Sequence, residues 1–155
     1  MLRGASAINL DSKGRISIPI RYREELLDSS KDDIATLVIT VDIKSACLLL
    51  YPIEEWRKIE AKLLRLSDTN PTERALKRLL LGYAHELELD SNGRFLIPTP
   101  LRGYAGLVKK TMLVGQLNKF ELWDEQAWNK QIEHDQNIIR NEPLNCNERL
   151  ADFSL

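Results

Sequence analysis

Apolar and polar residues alternate in two short segments near the start of the chain. The alternation is weak over residues 5–10 and clear over residues 15–20. Side chains in a strand alternate with period two, so three residues of the second segment share one face: Ile16, Ile18 and Ile20. The segment between them, Asp11 to Gly14, has aspartate first and glycine fourth. This order favours a type I turn with a left-handed glycine, and therefore a tight hairpin with a bulge.

The same pattern occurs a second time. Residues 10–19 and 89–98 are identical at seven of ten positions, at an offset of 79 residues. Asp90 to Gly93 repeats the turn chemistry. Pro19 and Pro98 are each expected to end a strand, because proline cannot donate a hydrogen bond to a β ladder. The sequence therefore predicts two copies of one small structural unit.

The correspondence extends beyond the turn. Arg23 matches Arg102 at the same offset, whereas residues 50–56 match residues 122–128 at an offset of 72. The difference predicts about seven extra residues in the first copy, around Ser29 to Asp33. Two copies are too few for a solenoid, so they are expected to bury their faces against each other.

Each copy is predicted to continue with a short helix and then a β-hairpin. Residues 20–27 have apolar side chains at helical spacing. The hairpin strands are runs rich in residues that favour strands: residues 37–41 and 47–51, then 111–114 and 120–123. The expected fold class is mainly β with helices (α+β).

Further helices are predicted over residues 53–66, after Asn70, and over residues 125–140. The first has an amphipathic stripe formed by Trp56, Ile59, Leu63 and Leu66. The second has Asn70 as its N-cap and proline at its first position, with Gly82 expected to end it at C′. The residues after Glu142 are expected to form a loosely ordered tail.

These elements suggest a division of the chain into four parts: residues 1–53, a helical connector at 54–81, a second copy at 82–124, and a C-terminal helix with tail at 125–155. About four short strands cannot bury both faces alone, so the copies should pack about a pseudo-two-fold axis. Four residues would lie near the shared core: Ile16, Ile18, Phe95 and Ile97. The apolar side chains of Trp56 and Leu63 are expected to be available to neighbouring chains.

The distribution of charge is more informative than the net charge of −1. Residues 1–23 contain five basic residues and one acidic residue, whereas residues 121–155 contain three basic and eight acidic residues. This asymmetry could orient the molecule on an anionic partner, or the charges could simply belong to solvated faces. No apolar stretch approaches the length of a membrane span and no signal peptide is evident, so a cytoplasmic protein is expected.

The candidate chemistry does not favour an enzyme. His85 and His134 lie in different segments without a partner at ligand spacing, the two cysteines match no metal spacing, and nucleotide-binding and nucleophile motifs are absent. Asp11 and Asp90 could be considered a carboxylate pair, but an aspartate that opens a turn more often accepts backbone hydrogen bonds. Neither a metal nor a cofactor is predicted.

The arginine that follows each turn glycine is the stronger candidate. Each one has an aspartate four residues earlier, so one interpretation is a surface salt bridge within the turn, contributing ~0–1 kcal/mol. In the other interpretation Lys13 and Arg15 stand at an exposed loop tip beside Arg3. Arginine has the geometry to bind phosphate oxygens or a guanine edge, and a β-ribbon can enter a major groove.

The chain resembles the MraZ family through a combination of segments that spans nearly its whole length. Two Asp-Ser-x-Gly-Arg motifs are each followed by Ile-Pro. The other matching segments are residues 3–5, 10–22, 48–52, 70–71, 78–82, 114–116 and 118–123.

The resemblance implies two AbrB-like, swapped-hairpin subdomains packed as a pseudo-dimer within one chain. It also implies ring-shaped homo-oligomers that bind tandem promoter repeats in double-stranded DNA. They would repress the bacterial division and cell-wall gene cluster, their own gene included, in the cytoplasm at the nucleoid. Two alternatives stay open: a ring-forming scaffold for another partner, and an AbrB-fold antitoxin-like regulator.

The family signature falls on Asp11 and Arg15, and again on Asp90 and Arg94. The first copy is the more basic, so it is expected to be the main DNA reader. The DNA-binding residues expected from the basic loops are Lys13, Arg15, Arg3, Arg21 and Arg94. The residues expected to form the turns are Asp11, Gly14, Asp90 and Gly93.

Overall fold

The computed structural model describes residues 1–28 and 34–153. Residues 1–124 form one compact unit and residues 125–155 another. The extra residues expected around Ser29 to Asp33 lie outside the described part of the chain. The strands are β1 (Leu2–Asn9), β2 (Arg15–Ser17), β3 (Thr36–Val41), β4 (Leu48–Pro52), β5 (His85–Glu88), β6 (Arg94–Leu96), β7 (Lys110–Leu117) and β8 (Phe120–Asp124). The helices are α1 (Ile20–Asp28), α2 (Ile53–Leu63), α3 (Pro71–Gly82), α4 (Thr99–Tyr104), α5 (Glu125–Asn141) and α6 (Glu148–Ala151), with a 3₁₀ turn at Leu144–Cys146.

The two sequence copies share one antiparallel sheet. Its strand order is β1-β7-β8-β4-β3-β5. The hairpin of each copy is flanked by the first strand of the other copy, because β1 pairs with β7 and β5 pairs with β3. If each strand is replaced by its counterpart in the other copy, the same order results, read from the opposite edge of the sheet. This symmetry is the topology expected of an intrachain pseudo-dimer. The predicted α+β fold class is confirmed.

A second, two-stranded sheet pairs β2 of the first copy with β6 of the second. The prediction that residues 5–10 and 15–20 form a hairpin is therefore wrong in its pairing. The turn itself forms, and the Asp11 N–H donates to the Arg15 carbonyl at 2.9 Å. The chain then leaves β1 for the other sheet. Ile20 also departs from the predicted strand, since it begins α1 and is 69% exposed.

The main core lies between the ribbon formed by β2 and β6 and one face of the large sheet. The residues expected near a shared core are all buried there: Ile16, Ile18, Phe95 and Ile97. Alternate residues of the long strands meet them from the sheet: Leu37, Ile39, Leu48, Leu50, Leu113, Phe120 and Leu122. Burying the inner face of the ribbon fixes which of its residues face outward.

The opposite face of the sheet has its own apolar cluster, formed by Val38, Leu49, Tyr51 and Trp56. Trp56 and Leu63 are only 3% and 5% exposed, so the prediction that they are available to neighbouring chains is wrong. The amphipathic stripe of α2 instead packs within its own chain. Helix α3 also contacts β3, and the Thr40 hydroxyl donates to the Leu80 carbonyl at 2.7 Å.

The helix boundaries agree with the sequence pattern except at two ends. The Asn70 side chain accepts hydrogen bonds from the backbone N–H groups of Thr72 and Glu73, which confirms the predicted N-cap. Gly82 is not the C′ residue, because it is the last residue of α3 and the C-cap is Tyr83, which has right-handed backbone angles. Helix α2 ends at Leu63 rather than at residue 66. In the described residues, no helix has the length and apolar character needed to cross a bilayer.

Candidate nucleic-acid interface

The ribbon of β2 and β6 has one buried face and one outward face. Ile16 lies opposite Phe95, and both side chains are buried. Directly opposed residues of an antiparallel pair point to the same side, and neighbours along a strand point to opposite sides. The outward face is therefore formed by Arg15 and Ser17 from β2, with Arg94 and Leu96 from β6.

This register brings the two motif arginines onto one surface. Arg15 is opposite Leu96, and Arg94 is opposite Ser17. The arginines are thus diagonal neighbours, separated by two residues along the ribbon and one strand across it, or roughly 8–9 Å between Cα atoms. Their side chains are 36% and 41% exposed. The fold makes one composite surface from motifs that are 79 residues apart in sequence.

The turns at the two ends of the ribbon have the same internal hydrogen bonds. Asp11 Oδ1 accepts from the backbone N–H groups of Lys13 and Arg15 at 2.9 and 2.8 Å. Asp90 Oδ1 accepts from the N–H groups of Asn92 and Arg94 at 2.8 and 2.9 Å. These bonds account for an aspartate at the first position of each motif.

Both turn glycines adopt the positive φ that the sequence predicts. Gly14 has φ of 85° and Gly93 has φ of 69°, and each donates its N–H to the carbonyl of the turn aspartate. Side chains other than hydrogen are disfavoured in this region. The turn geometry is therefore confirmed in both copies.

The other oxygen of each aspartate orients the arginine. Arg15 Nε donates to Asp11 Oδ2 at 2.9 Å, and Arg94 Nε donates to Asp90 Oδ2 at 3.2 Å. Among the described residues, no protein group bonds the terminal nitrogens of either guanidinium. The salt bridge is therefore compatible with recognition of a partner, since each aspartate bonds Nε and leaves the terminal nitrogens of the arginine without a described protein partner.

The carboxylates remain ionised at neutral pH. The backbone N–H of Arg15 is the main cause that lowers the pKa of Asp11 below its ordinary value of 3.8. The N–H of Arg94 does the same for the pKa of Asp90. A lowered folded-state pKa means that stabilisation by these groups is present above about pH 4 and is lost as the pH falls through the folded pKa. The arginines are held by charged aspartates throughout the physiological range.

Each turn is covered by an arginine from the other copy. A Cβ atom added to Gly93 would overlap Arg23 Nε, and one added to Gly14 would lie 2.6 Å from Arg102 Cζ. Backbone hydrogen bonds also join each turn to the other copy. The Ile18 N–H donates to the Gly93 carbonyl at 2.8 Å, and the Ile97 N–H donates to the Gly14 carbonyl at 2.9 Å. The shape of each turn therefore depends on the other copy.

The two covering arginines differ in their hydrogen bonds. Arg23 Nε donates to the Ile18 carbonyl at 2.6 Å, and Arg23 Nη2 donates to Ser17 Oγ at 3.0 Å. Arg102 Nη2 donates to Thr99 Oγ1 at 2.8 Å, whereas its buried Nε has no hydrogen-bond partner within the described part of the chain. Arg23 and Arg102 align in the two sequence copies, but neither is among the predicted site residues. The sequence feature that could have indicated a shared role is their equal distance from the two motifs.

The remaining predicted DNA-binding residues fall into two groups. Lys13 is exposed in the turn next to Arg15. Arg3 is the second residue of β1, and roughly 20 Å of extended strand separates it from the turn. The prediction that Arg3 stands beside Lys13 and Arg15 is therefore wrong, because the turn joins the other end of β1.

Arg21 lies near Arg3 rather than on the ribbon. Arg21 Nη2 donates to Ser6 Oγ at 2.6 Å and to the Tyr22 hydroxyl at 2.7 Å. The Tyr22 hydroxyl in turn donates to the Arg3 carbonyl at 2.8 Å. These side chains cover β1 at the edge of the sheet, so Arg21 has a structural role at this position.

Comparison with known proteins identifies the family. A family model described as "MraZ protein, putative antitoxin-like" matches residues 1–79 and again residues 80–146. Proteins named "Transcriptional regulator MraZ" from Shewanella amazonensis and Shewanella putrefaciens are 69% and 70% identical over 155 residues. A protein of the same name from Shewanella baltica is 70% identical. All of this chain and all of each relative are covered.

The resemblance expected from the sequence is thus confirmed, together with the expectation of a protein that is not an enzyme, since the family is one of transcriptional regulators. The second of the two matched segments begins at residue 80, close to residue 82, where the second sequence copy is expected to begin. The chain belongs to the MraZ family.

Proposed function

We propose that the chain is a DNA-binding transcriptional regulator that reads base edges with the outward face of the β2–β6 ribbon. The observation that carries this proposal is the common face of Arg15 and Arg94. A two-stranded ribbon has the width to enter the major groove of B-DNA. The terminal nitrogens of each arginine, which no described protein group bonds, are the donors required for bidentate binding to guanine O6 and N7.

Charge around the ribbon supports the same function. The turns and their covering side chains provide five basic groups: Lys13, Arg15, Arg23, Arg94 and Arg102. Only Asp11 and Asp90 oppose them within the motifs, and each is already occupied by backbone and arginine donors. Contacts to phosphate would position the ribbon, and contacts to bases would provide specificity.

The second part of the proposal concerns assembly. We infer that several copies form a ring that binds tandem repeats and represses the division and cell-wall gene cluster, including the gene of the regulator itself, at the nucleoid. The division into residues 1–53, 54–81, 82–124 and 125–155 belongs to the same proposal.

Exposed apolar side chains on the helical connector support an assembly surface. Leu64, Leu79 and Leu81 are 82%, 41% and 43% exposed. Leu64 and Leu81 line a cavity of about 390 Å³ together with Leu63, Glu60 and Lys77. A heterologous contact between such a patch and a different surface of the next copy closes into a ring when its rotation permits.

The experiment compares DNA duplexes from upstream of the protein's own gene that contain one repeat or four. A ring that engages several sites is expected to bind four repeats about 10²–10⁴ times more tightly than one repeat. The affinity should also fall steeply with salt, because each neutralised phosphate releases counterions. Fluorescence anisotropy at two salt concentrations measures both effects, and light scattering gives the mass in solution.

The result distinguishes the alternatives. A monomer that binds one repeat as tightly as four would contradict the ring and leave a two-turn DNA-binding module. A large assembly without salt-sensitive DNA binding would instead favour a scaffold.

A further inference from the structure

We propose that Leu96 contacts the 5-methyl group of a thymine and gives the ribbon a direction on its DNA site. This inference rests on the proposed function of the ribbon. Leu96 is the last residue of β6 and is 53% exposed, although both of its chain neighbours, Phe95 and Ile97, are buried. It lies on the outward face, directly opposite Arg15 and two residues from Arg94.

The surroundings of Leu96 leave its side chain available. It is not among the described residues that pack in either apolar cluster. The position equivalent to Leu96 in the first copy is Ser17, at the offset of 79 residues. Ser17 Oγ donates to the Asn92 carbonyl and accepts from Arg23, both at 3.0 Å. The serine is therefore engaged in bracing the turn, whereas the leucine has no hydrogen-bonding group.

An apolar side chain between two arginines has one suitable partner in a major groove. The donors and acceptors of the base edges are polar, and the thymine methyl is the apolar feature of the groove. Opposed Cα atoms in an antiparallel ribbon are roughly 5 Å apart, and neighbouring base pairs are about 3.4 Å apart. The thymine bound by Leu96 should thus lie within one or two base pairs of the guanine bound by Arg15.

This difference between the copies has a consequence for the operator. A ribbon with identical copies would read a two-fold symmetric site in either orientation. Leu96 occupies the position that Ser17 has in the first copy, and Asn92 occupies the position of Lys13, so the two copies are not identical and that symmetry is lost. Each chain then reads an asymmetric site in one orientation, which is compatible with direct tandem repeats.

The test uses the full-length protein and two duplexes of the region upstream of its own gene. One duplex has thymine and the other has uracil at every corresponding position, so they differ only in the methyl groups. Wild-type protein is expected to bind the uracil duplex about fourfold more weakly for each contacted thymine, the loss for one buried methyl group. Leu96→Ser should bind both duplexes equally.

A matched variant controls for the loss of an exposed apolar side chain. Val108 is 80% exposed and follows α4, outside the ribbon. Val108→Ser should retain the preference of the wild-type protein for thymine. Both substitutions are at exposed positions, and thermal unfolding checks that the fold is preserved.

The outcomes separate this inference from the proposed function. Equal binding of both duplexes by the wild-type protein, or an unchanged thymine preference in Leu96→Ser, would overturn the role of Leu96 while leaving DNA binding intact. Failure of the wild-type protein to bind either duplex would overturn the proposed function and this inference together. Replacing thymines one at a time should locate the sensitive base beside the guanine that Arg15 contacts.

Discussion

Arg15→Ala is expected to eliminate specific binding of the upstream DNA while the fold is preserved. Losing a bidentate contact with guanine should cost ~1–3 kcal/mol for each bound copy, and several copies on tandem sites multiply the effect. The arginine is partly exposed and its ion pair with Asp11 is at the surface, so the free energy of unfolding should change by only about 1 kcal/mol or less. Anisotropy with labelled DNA and urea unfolding measure the two quantities.

Two variants distinguish base recognition from a simple loss of charge. Arg15→Lys keeps the positive charge but loses the planar fork, so it should bind with the low affinity of non-specific DNA. Arg57→Ala removes an exposed arginine that pairs with Glu54 on α2, away from the ribbon, and should bind like the wild-type protein. Arg15 is not the reader if Arg15→Ala binds upstream DNA at wild-type concentrations.

Gly14→Val should reduce both the stability of the protein and its affinity for DNA. At φ of 85° a β-branched residue is strained, which costs ~1–3 kcal/mol. The added side chain would also displace the Arg102 guanidinium, which lies 2.6 Å from the new Cβ. Chemical unfolding and DNA titration of the same preparation measure the two effects.

Gly103→Val is the matched control for this substitution. Gly103 lies in α4, has no heavy atom within 4 Å of an added Cβ, and does not have positive φ. Its free energy of unfolding should change by about 0.5 kcal/mol or less. Equal stability of the two variants would contradict the requirement for a glycine in the first turn.

Local chemistry made part of this structure predictable. The period-two pattern identified the buried faces at Ile16 and Phe95, and the order of aspartate and glycine identified both turns. Residues of this kind act through the backbone next to them, so the sequence contains the required information. The sequence also shows that Arg23 and Arg102 lie at the same distance from their motifs. Their position against the turn of the other copy, however, depends on tertiary structure.

The partners of the strands could not be read from local pattern. The turn at Asp11 to Gly14 is the same whether the strand after it pairs backward or with another segment. In the fold, β2 is only three residues long, and pairing with β6 joins the apolar faces of both copies over one core. Trp56 illustrates a related difficulty, since an amphipathic stripe predicts that a helix face is covered but does not identify the surface that covers it.

The composite ribbon is tested most directly by the affinity of Arg94→Ala for the same upstream duplex that Arg15→Ala fails to bind. Sequence alone favoured the first motif because it is the more basic, whereas the register aligns both arginines on one outward face. We expect Arg94→Ala to lose ~1–3 kcal/mol of binding free energy for each bound copy, without loss of oligomeric mass. Wild-type affinity in Arg94→Ala would contradict a reading surface shared by the two copies.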